Sequence, residues 1–360
     1  MIPSREPKQI CLIGRIDPSG QLSDGQTVKT RTIWKLLKEN YGNNAIVAVD
    51  TRDYMRNPFR VAIAFINAMM KCDDIVVLLS RGGRRAFFPF LSLAAKRFNK
   101  RIFHSLIGGK LADNIRDEDG VRLVRQLNTF QINWVESQSL VNELRRLGVM
   151  KVEYLPNFKD VVPLNADSLP VPARNPIRFC TFSRVCVAKG IPDAASATEM
   201  LNDEGIPCLL DVYGPVEKDF QTEFESILNN CHHVSYKGVI RSNDSVEVVK
   251  NYAALLFPTT WAGEGFPGSI IDAYAAGVPV IAYHWRYFEE IIEEGSTGIG
   301  CAPDVNALAE AMLNFVKLDD SDHMSIKRNC IAHAEMYSSA RVFGQMKKTI
   351  DEASTDSSDA

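Results

Sequence analysis

The sequence has no apolar run long enough to cross a membrane and no cysteine pair of the kind that binds zinc. A spanning helix needs about 18 consecutive apolar residues, and no such run occurs in the 360 residues. The first 18 residues carry charge on both sides of a short strand-like run, so we expect no signal peptide. The eight cysteines are scattered without a CxxC pair. This pattern predicts small buried thiols in a cytoplasmic protein.

The composition is that of an ordinary globular protein, but the charge divides the chain into two halves. Hydrophobic residues make up 46% and charged residues 24%, and the length is sufficient for two cored domains. Residues 1–165 carry 26 Lys and Arg against 16 Asp and Glu, a net charge of +10. Residues 166–360 carry 15 against 28, a net charge of −13. The difference indicates two domains with different partners, the basic one facing something anionic. Drift of surface charge is the alternative.

Strand-length apolar runs alternate with helical patterns twice along the chain. The first alternation covers 9–155, the second starts at 177, and a proline-punctuated segment separates them. This alternation predicts a doubly wound parallel sheet in each half, and therefore an α/β protein. We expect domains at 1–165 and 166–336, a helix at 337–350 that packs back on the first domain, and a disordered tail at 351–360.

Residues 254–282 combine a strand, a glycine-rich loop, a helix and a second strand. The strand 254–257 leads into a loop that contains Gly263, Gly265, Pro267 and Gly268, and a helical pattern follows at 269–276. Backbone amides at the start of such a helix can face an anionic ligand. This stretch therefore predicts a phosphate-binding loop.

Two cations stand in another loop of the second half, directly after the predicted strand 177–182. In open α/β sheets, ligands bind beyond the carboxyl ends of the strands, and the loops 183–190, 213–215 and 258–268 all lie there. Arg184 can grip phosphate oxygens with its planar fork, and Lys189 adds a compact charge. Either cation alone is more simply explained as a solvated loop charge. Together with the glycine-rich loop they predict a diphosphate site.

Glu264 and Asp272 raise the possibility of a glycosidase acid/base pair. Eight positions along one helix correspond to about 12 Å, whereas glycosidase carboxyls lie about 5 to 9.5 Å apart. Glu264 stands in the loop and could bend closer, but the spacing favours separate contacts along one elongated ligand. Taken alone, Asp272 is better interpreted as a partly exposed helix carboxylate.

These residues resemble the family 4 retaining glycosyltransferases. The segment from Glu264 to Asp272, with 276–282 after it, is similar to the E-x7-E signature of that family, and 183–190 is similar to its G-R-x4-K-G segment. The resemblance implies the GT-B fold, in which two Rossmann-like domains face a cleft. It also implies an enzyme that moves a sugar from a nucleotide donor to an acceptor hydroxyl.

Shorter likenesses extend the resemblance over most of the second half. Residues 211–215, which contain Gly214, are similar to the family's "vvGdGp", and 236–239, which end at Val239, are similar to "f-x-G-x". The segment 155–160 is similar to "iPNGVD". In the first half the likeness is thin, and Asp24-Gly25 stands where the family usually has a glycine pair.

The resemblance implies a role for each of these residues. Arg184 and Lys189 would bind the diphosphate of the donor and neutralise the leaving group, and Glu264 would contact the sugar. Asp272, where the family usually has Glu, would hold the ribose hydroxyls. Pro267 replaces a common glycine and removes one amide donor. The other implied donor-binding residues are Gly265, Phe266, Gly268, Gly214, Val239 and Gly25.

The resemblance also implies that neither a metal nor another cofactor is needed. The expected donor is a UDP- or GDP-sugar. The acidic pairs at 73–74 and 319–320 fall at the starts of a predicted strand and a predicted helix, so neither forms a DxD motif in a suitable loop.

Two features of the first half are candidates for the acceptor side. The family often has a histidine directly after the strand that corresponds to 101–103. His104 stands at that position, which makes it a catalytic candidate, with an ordinary strand-end histidine as the alternative. The segment Arg81–Arg101 is basic and aromatic, which suits an anionic membrane or a lipid-linked acceptor. Its alternative is a helix that packs its apolar face on the sheet. No nucleic-acid-binding module accompanies this charge, so nucleic acid is not expected as a partner.

The sequence therefore predicts a retaining glycosyltransferase of bacterial surface polysaccharide assembly. It would be cytoplasmic, with peripheral contact at the inner face of the cytoplasmic membrane, and would use a saccharide or lipid-linked saccharide as acceptor. Two alternatives remain, a nucleotide-sugar epimerase or hydrolase of the same fold and a non-catalytic nucleotide-sugar-binding protein.

Overall fold

The structure is a computed structural model that describes residues 9–355, apart from 21, 23, 118, 119 and 171–174. Within these residues the chain forms two compact units. Unit one takes the chain up to Asn157 and again from Ser339 onward, and unit two is Phe158–Ser338. None of the described helices is both long and apolar enough to cross a membrane.

Unit one is a six-stranded parallel sheet with helices packed against it. Apolar runs such as ICLIG and DIVVL are buried at every position, as expected of strands covered on both faces. The strands are β1 (Ile10–Gly14), β2 (Ile46–Asp50), β3 (Asp74–Leu78), β4 (Arg101–Ser105), β5 (Ile132–Val135) and β6 (Val152–Tyr154), in the order β2-β1-β3-β4-β5-β6. The helices between them are α1 (Gly25–Tyr41), α2 (Pro58–Lys71), α3 (Arg81–Phe98), α4 (Leu111–Arg116), α5 (Gly120–Leu127) and α6 (Gln138–Arg146).

Unit two repeats this architecture with a second six-stranded parallel sheet. Its strands are β7 (Ile177–Phe182), β8 (Cys208–Tyr213), β9 (Val234–Gly238), β10 (Ala254–Phe257), β11 (Val280–Tyr283) and β12 (Gly298–Cys301), in the order β12-β11-β10-β7-β8-β9. Its helices are α7 (Ile191–Asp203), α8 (Gln221–Asn230), α9 (Ser245–Val249), α10 (Gly268–Ala275), α11 (Phe288–Ile291), α12 (Val305–Val316) and α13 (Asp320–Met336). The predicted α/β class with two doubly wound parallel sheets is confirmed.

The strand order places a topological switch point in each sheet. In unit two the chain runs outward from β7 to β8 and β9, then returns to place β10 on the other side of β7. In unit one the same reversal falls between β1 and β3. Ligands of open α/β sheets bind outside the carboxyl ends of the strands at such points. Ligand sites are therefore expected in the loops after β7 and β10 of unit two and after β1 and β3 of unit one.

The boundary between the units falls at 157/158 rather than at the predicted 165/166. The proline-punctuated segment packs on unit two, because the amide of Leu164 donates to the carbonyl of Ala275 at 2.8 Å and Leu169 is buried there. Its first charged residue, Lys159, forms an ion pair with Asp272.

The last helix, α14 (Ser339–Thr355), belongs to unit one and is longer than predicted. The first five residues of the expected disordered tail, 351–355, are helical, and 356–360 lie outside the described residues. Tyr41 donates to a carboxylate oxygen of Asp351 at 2.8 Å, and Ser354 donates to Asp74 at 3.1 Å. Ala353 is buried as well. These contacts continue the helix beyond Ile350, where the apolar periodicity of the sequence ends.

Candidate active site

The loops after β7 and β10 bring Lys189 and Glu264 together at the switch point of unit two. The Lys189 ammonium contacts Oε2 of Glu264, and Thr259 donates to the same oxygen at 3.2 Å. The side chains of Lys189 and Glu264 are only 10% and 12% exposed. A largely buried carboxylate that accepts two hydrogen bonds is held in one orientation. The crevice at the ends of β7 and β10 therefore contains a fixed carboxylate and a fixed cation, contributed by the loops after these two strands.

Two glycines explain how these loops approach so closely. Gly190 has a φ of +68°, and a Cβ there would lie 2.0 Å from the carbonyl oxygen of Pro258. Gly214 has a φ of +131°, and a Cβ there would lie 1.7 Å from the carbonyl oxygen of Ser183. Any side chain would push backbone against backbone. The three loops after β7, β8 and β10 therefore depend on glycine for their packing.

Arg184 stands at the open side of the same loop. Its guanidinium pairs with Glu217 and lies 5.5 Å from the ring of Trp261, and the side chain is 45% exposed. An exposed ion pair contributes about 0 to 1 kcal/mol. An incoming phosphate can therefore replace Glu217 at little cost.

The helix α10 begins at the end of the glycine-rich loop without a side-chain cap. Pro267 is the N-cap residue, and its side chain makes no cap hydrogen bond. The first amides of a helix have no acceptor within the helix, so Gly268 and Ser269 present N–H groups and the positive end of the dipole. Phe266 is buried 4.6 Å from the ring of Tyr337, which fixes the loop in place. Gly265 precedes it and accepts a bond from the Trp285 indole through its carbonyl.

Asp272 is more deeply placed than the sequence predicted. It is buried in α10, and both of its oxygens accept bonds from Lys159, at 2.5 and 2.6 Å. Burial raises the pKa of the carboxyl above its ordinary value, and the charge of Lys159 opposes this. The expectation of a partly exposed helix carboxylate is therefore wrong. Glu264 and Asp272 each have their own lysine, and a ribose contact for Asp272, which stays a prediction, would require Lys159 to share the carboxylate.

Gly214 and Val239 lie at the neighbouring ends of β8 and β9. The amide of Gly214 donates to the carbonyl of Gly238 at 2.9 Å, and the Tyr236 hydroxyl donates to the carbonyl of Gly214 at 2.9 Å. Val239 directly follows Gly238, the last residue of β9, and is 57% exposed. The edge of the sheet from β10 to β9 thus carries the loops of the predicted donor-binding residues of unit two, of which Gly265, Phe266, Pro267 and Asp272 are buried.

Gly25 is the first residue of α1 in unit one. Asp24 caps this helix by accepting from the amide and the hydroxyl of Thr27 at 3.2 and 2.7 Å. A Cβ at Gly25 would meet nothing within 4 Å. Packing therefore does not require glycine here, and the donor-binding role of Gly25 stays a prediction.

His104 lies in the core of unit one. Its ring is fully buried, with Nδ1 3.0 Å from the side-chain oxygen of Asn133 and the ring edge-on to Phe88 and Phe130. Among the described residues Nε2 has no hydrogen-bond partner. Burial, with the nearby charge of Arg84, lowers the pKa of His104 to about 3, so the ring is neutral. Of the two interpretations of this residue, the structure favours the ordinary packing histidine.

Four further residues of the site were not predicted from the sequence. Thr259 donates a hydrogen bond to Glu264 and so orients it. Arg184 lies between Trp261 and Glu217. Lys159 forms an ion pair with Asp272. Lys159 carried a usable signal, because it departs from the "iPNGVD" pattern that its segment otherwise follows. The other three gave none, since their roles depend on how the loops fold back.

Comparison with known proteins agrees with this geometry. Residues 176–317, which contain both loops of the site, match the family described as glycosyl transferases group 1. No curated protein sequence matches the chain.

Solved structures match nearly the whole chain at low identity. HepE from Anabaena, solved with UDP and glucose, has a TM-score of 0.72 at 16% identity, and the match covers 96% of this chain and 99% of HepE. Sucrose-phosphate synthase from Thermosynechococcus elongatus has a TM-score of 0.75 at 16% identity, covering 97% of this chain and 100% of the enzyme. The lipopolysaccharide outer core galactosyltransferase WaaB, in its apo form, has a TM-score of 0.62 at 15% identity, covering 96% and 99%.

The chain has the GT-B fold of these glycosyltransferases. Residues 176–317 of its second unit match the group 1 glycosyltransferases. The predicted GT-B fold is confirmed, and the family match bears out the predicted class of enzyme.

Proposed function

We propose that this protein is a retaining glycosyltransferase that transfers a sugar from a nucleoside-diphosphate donor to an acceptor hydroxyl without a metal ion. The observation that carries the proposal is the largely buried pair of Lys189 and Glu264 in the loops next to the start of α10, which has no side-chain cap. The ion pair and the start of α10 lie at the switch point of unit two, within the residues that match the family.

The charges of the site suit the departure of a nucleoside diphosphate. Lys189, Arg184 and the first amides of α10 supply positive charge where negative charge develops as the glycosidic bond breaks. Glu264, held by Lys189 and Thr259, contacts the hydroxyls of the sugar. Because its carboxylate is bound by an ammonium, Glu264 is a poor nucleophile. The acceptor oxygen therefore attacks on the face from which the diphosphate leaves, and the diphosphate takes the acceptor's proton.

A thermal-shift screen with nucleotide sugars tests the donor assignment. A donor that binds only the folded state at 100 times its Kd adds about 2.7 kcal/mol of stability, so we expect one UDP- or GDP-sugar to raise the Tm and the free sugar to leave it unchanged. HepE was solved with UDP and glucose, so UDP-glucose is the first candidate. The proposal fails if no nucleotide sugar shifts the Tm.

Product analysis with the donor so identified separates the remaining alternatives. A retaining transferase forms an α-linked product from an α-linked donor, only with acceptor present and equally in EDTA. An epimerase or hydrolase forms product without acceptor, and a binding protein forms none.

We assign the acceptor to surface polysaccharide assembly on a saccharide or lipid-linked saccharide. WaaB acts on the lipopolysaccharide outer core by its name, and unit one has a surface suited to a membrane. We call this surface the α2 stripe: the side chains of Phe59, Ile63, Ile66 and Met70, which recur at helical spacing on α2. Each is between 55% and 84% exposed. An apolar stripe left in water on a 14-residue helix marks an interaction surface.

The charge around the α2 stripe favours an anionic membrane as its partner. Helix α3 lies beside α2, since the ring of Phe87 lies 5.7 Å from that of Phe65, and it adds the exposed side chains of Phe90 and Leu93. No Asp or Glu occurs in 54–72 or in 75–112, whereas cations are frequent in both segments. Exposed apolar side chains on two helices that carry cations and no carboxylate suit the headgroup region of an anionic bilayer.

Within the segment Arg81–Arg101, only the outer face of α3 is available for the predicted membrane contact. Arg84 is buried, Arg81 pairs with Asp117, and Arg101 pairs with Asp74. The apolar side chains of Phe88 and Leu91 belong to the core. The outer face of α3 shares the surface with α2, while Phe88 and Leu91 pack in the core of unit one.

Substitution of Phe59 and Ile63 by Gln tests the membrane surface. Burial of one large apolar side chain contributes about 1.5 to 3 kcal/mol, so we expect the double variant to lose more than tenfold in partitioning to vesicles of phosphatidylglycerol and phosphatidylcholine. The matched control is Met150→Gln with Val162→Gln, which changes two side chains that are just as exposed elsewhere. Equal sedimentation of both variants with the vesicles would contradict the assignment.

A further inference from the structure

A cavity in unit one is lined by four arginines that the donor site does not use. Its volume is about 390 Å³, and its walls include Arg81, Arg84, Arg85, Arg122, Asn114 and Gln126. Pockets for small molecules usually measure about 300 to 1,000 Å³. We call this cavity the arginine pocket. It lies between α3, α4 and α5, next to the carboxyl end of β3 at the switch point of its sheet.

Arg84 is the unusual member of the arginine pocket, because it is a buried cation that has only neutral hydrogen-bond partners among the described residues. It is 6% exposed, and its guanidinium donates to the carbonyl of Leu79 at 3.1 Å and to the side-chain oxygen of Asn114 at 2.9 Å. Both acceptors are neutral. Among the residues that the structure describes, no carboxylate forms an ion pair with Arg84. A buried charge is costly unless an opposite charge accompanies it.

Positive charge near Arg84 further favours the binding of an anion in the arginine pocket. Burial and the neighbouring Arg81 lower the pKa of Arg84 to about 10, so it is still protonated at pH 7. Arg81 pairs with Asp117 at 2.6 Å, but both side chains are half exposed, and such pairs exchange easily. Arg81 is also the first residue of α3, where the helix dipole adds positive charge.

We propose that the arginine pocket binds a phosphate or diphosphate group carried by the acceptor of the transfer reaction. Guanidinium forks match phosphate oxygens in pairs, and several of them suit a group with more than one negative charge. The pocket is larger than a single phosphate requires, so there is room for the part of the acceptor next to it. Phe90 follows Pro89, a lining residue, on α3 and is exposed, which places apolar surface beside the pocket. This inference depends on the proposed function only for the identity of the ligand as an acceptor.

Titration of the full chain with inorganic pyrophosphate tests the pocket directly, with the donor site saturated by the nucleotide found in the thermal-shift screen. The test variant is Arg85→Gln with Arg122→Gln, two exposed lining residues whose loss does not disturb the core. The matched control is Arg125→Gln with Arg146→Gln, which removes the same charge from exposed positions in unit one outside the pocket. Each hydrogen bond to a charged group contributes enough for at least a tenfold effect. We expect pyrophosphate to bind the control like the wild type and the test variant at least tenfold more weakly.

Two further measurements decide the source of the phosphate and keep the test independent of the donor site. Vesicles of phosphatidylcholine with phosphatidic acid are compared with soluble sugar phosphates. If the test variant loses vesicle binding that the control variant keeps, the phosphate belongs to a lipid headgroup. If the test variant instead loses the binding of sugar phosphates that the control keeps, the acceptor is soluble. Equal pyrophosphate binding by the test and control variants, or none by the wild type, overturns the inference. If no nucleotide sugar binds, the titration is run without nucleotide on Lys189→Met, so the proposed function can fail while the pocket stands.

Discussion

Lys189→Met and Glu264→Gln are each expected to lower kcat/KM for sugar transfer by about 100-fold or more. Removal of one preorganised charge at a developing anion costs about 10²- to 10³-fold. In the proposed function, the ammonium of Lys189 is such a charge, and it also holds Glu264, the proposed contact of the sugar, in place. Each substitution would therefore remove one proposed contact with the donor and release the other side chain. Steady-state kinetics with the donor from the thermal-shift screen provide the measurement.

Stability must be measured together with activity in these variants. Breaking a buried ion pair by removing one partner costs about 3 to 5 kcal/mol, whereas removing both charges can be neutral. The double variant Lys189→Met with Glu264→Gln is thus expected to unfold in urea near the wild-type midpoint and still fail to transfer sugar. The control is Lys250→Met with Glu247→Gln, an exposed pair in the same unit, which should match the wild type in both respects. Turnover of the double variant at the wild-type rate would remove Lys189 and Glu264 from the site.

The parts of this site that the sequence predicted are those that follow from strand order. Loops after neighbouring parallel strands meet at one edge of a sheet, so Lys189 and Glu264 could be placed together although 75 positions separate them. The resemblance then assigned them chemistry. Both steps use only local patterns, a buried strand followed by a charged or glycine-rich loop.

Features that depend on tertiary packing were not predictable in this way. The ion pair of Lys159 and Asp272 joins residues 113 positions apart, and it forms because the linker folds onto unit two. The apolar periodicity of α2 predicts a helix with one apolar face, but not that Phe59 and Met70 face water. His104 lies on a strand covered on both faces, where alternation does not distinguish inside from outside.

Gly190→Ala is expected to be a severely damaging single-methyl change in unit two. The new Cβ would lie 2.0 Å from the carbonyl oxygen of Pro258 and 2.7 Å from the proline ring. Backbone cannot yield to this contact without moving the loops after β7 and β10 apart. Lys189 directly precedes this glycine and Thr259 directly follows Pro258, so the shift would separate the ammonium from Glu264. We expect loss of donor binding together with reduced stability.

Gly205→Ala separates this steric effect from backbone strain. Gly205 also has a positive φ, +80°, but a Cβ there would meet nothing within 4 Å. An alanine in the left-handed region costs about 1 to 2 kcal/mol, so Gly205→Ala should lose only that much in urea unfolding and keep its affinity for the donor. Gly190→Ala carries the same strain and the clash as well, so it should lose clearly more stability and at least tenfold in donor affinity. If the two variants behave alike, the contact between Gly190 and Pro258 does not hold the site together, and Lys189 must be positioned by its ion pair with Glu264 alone.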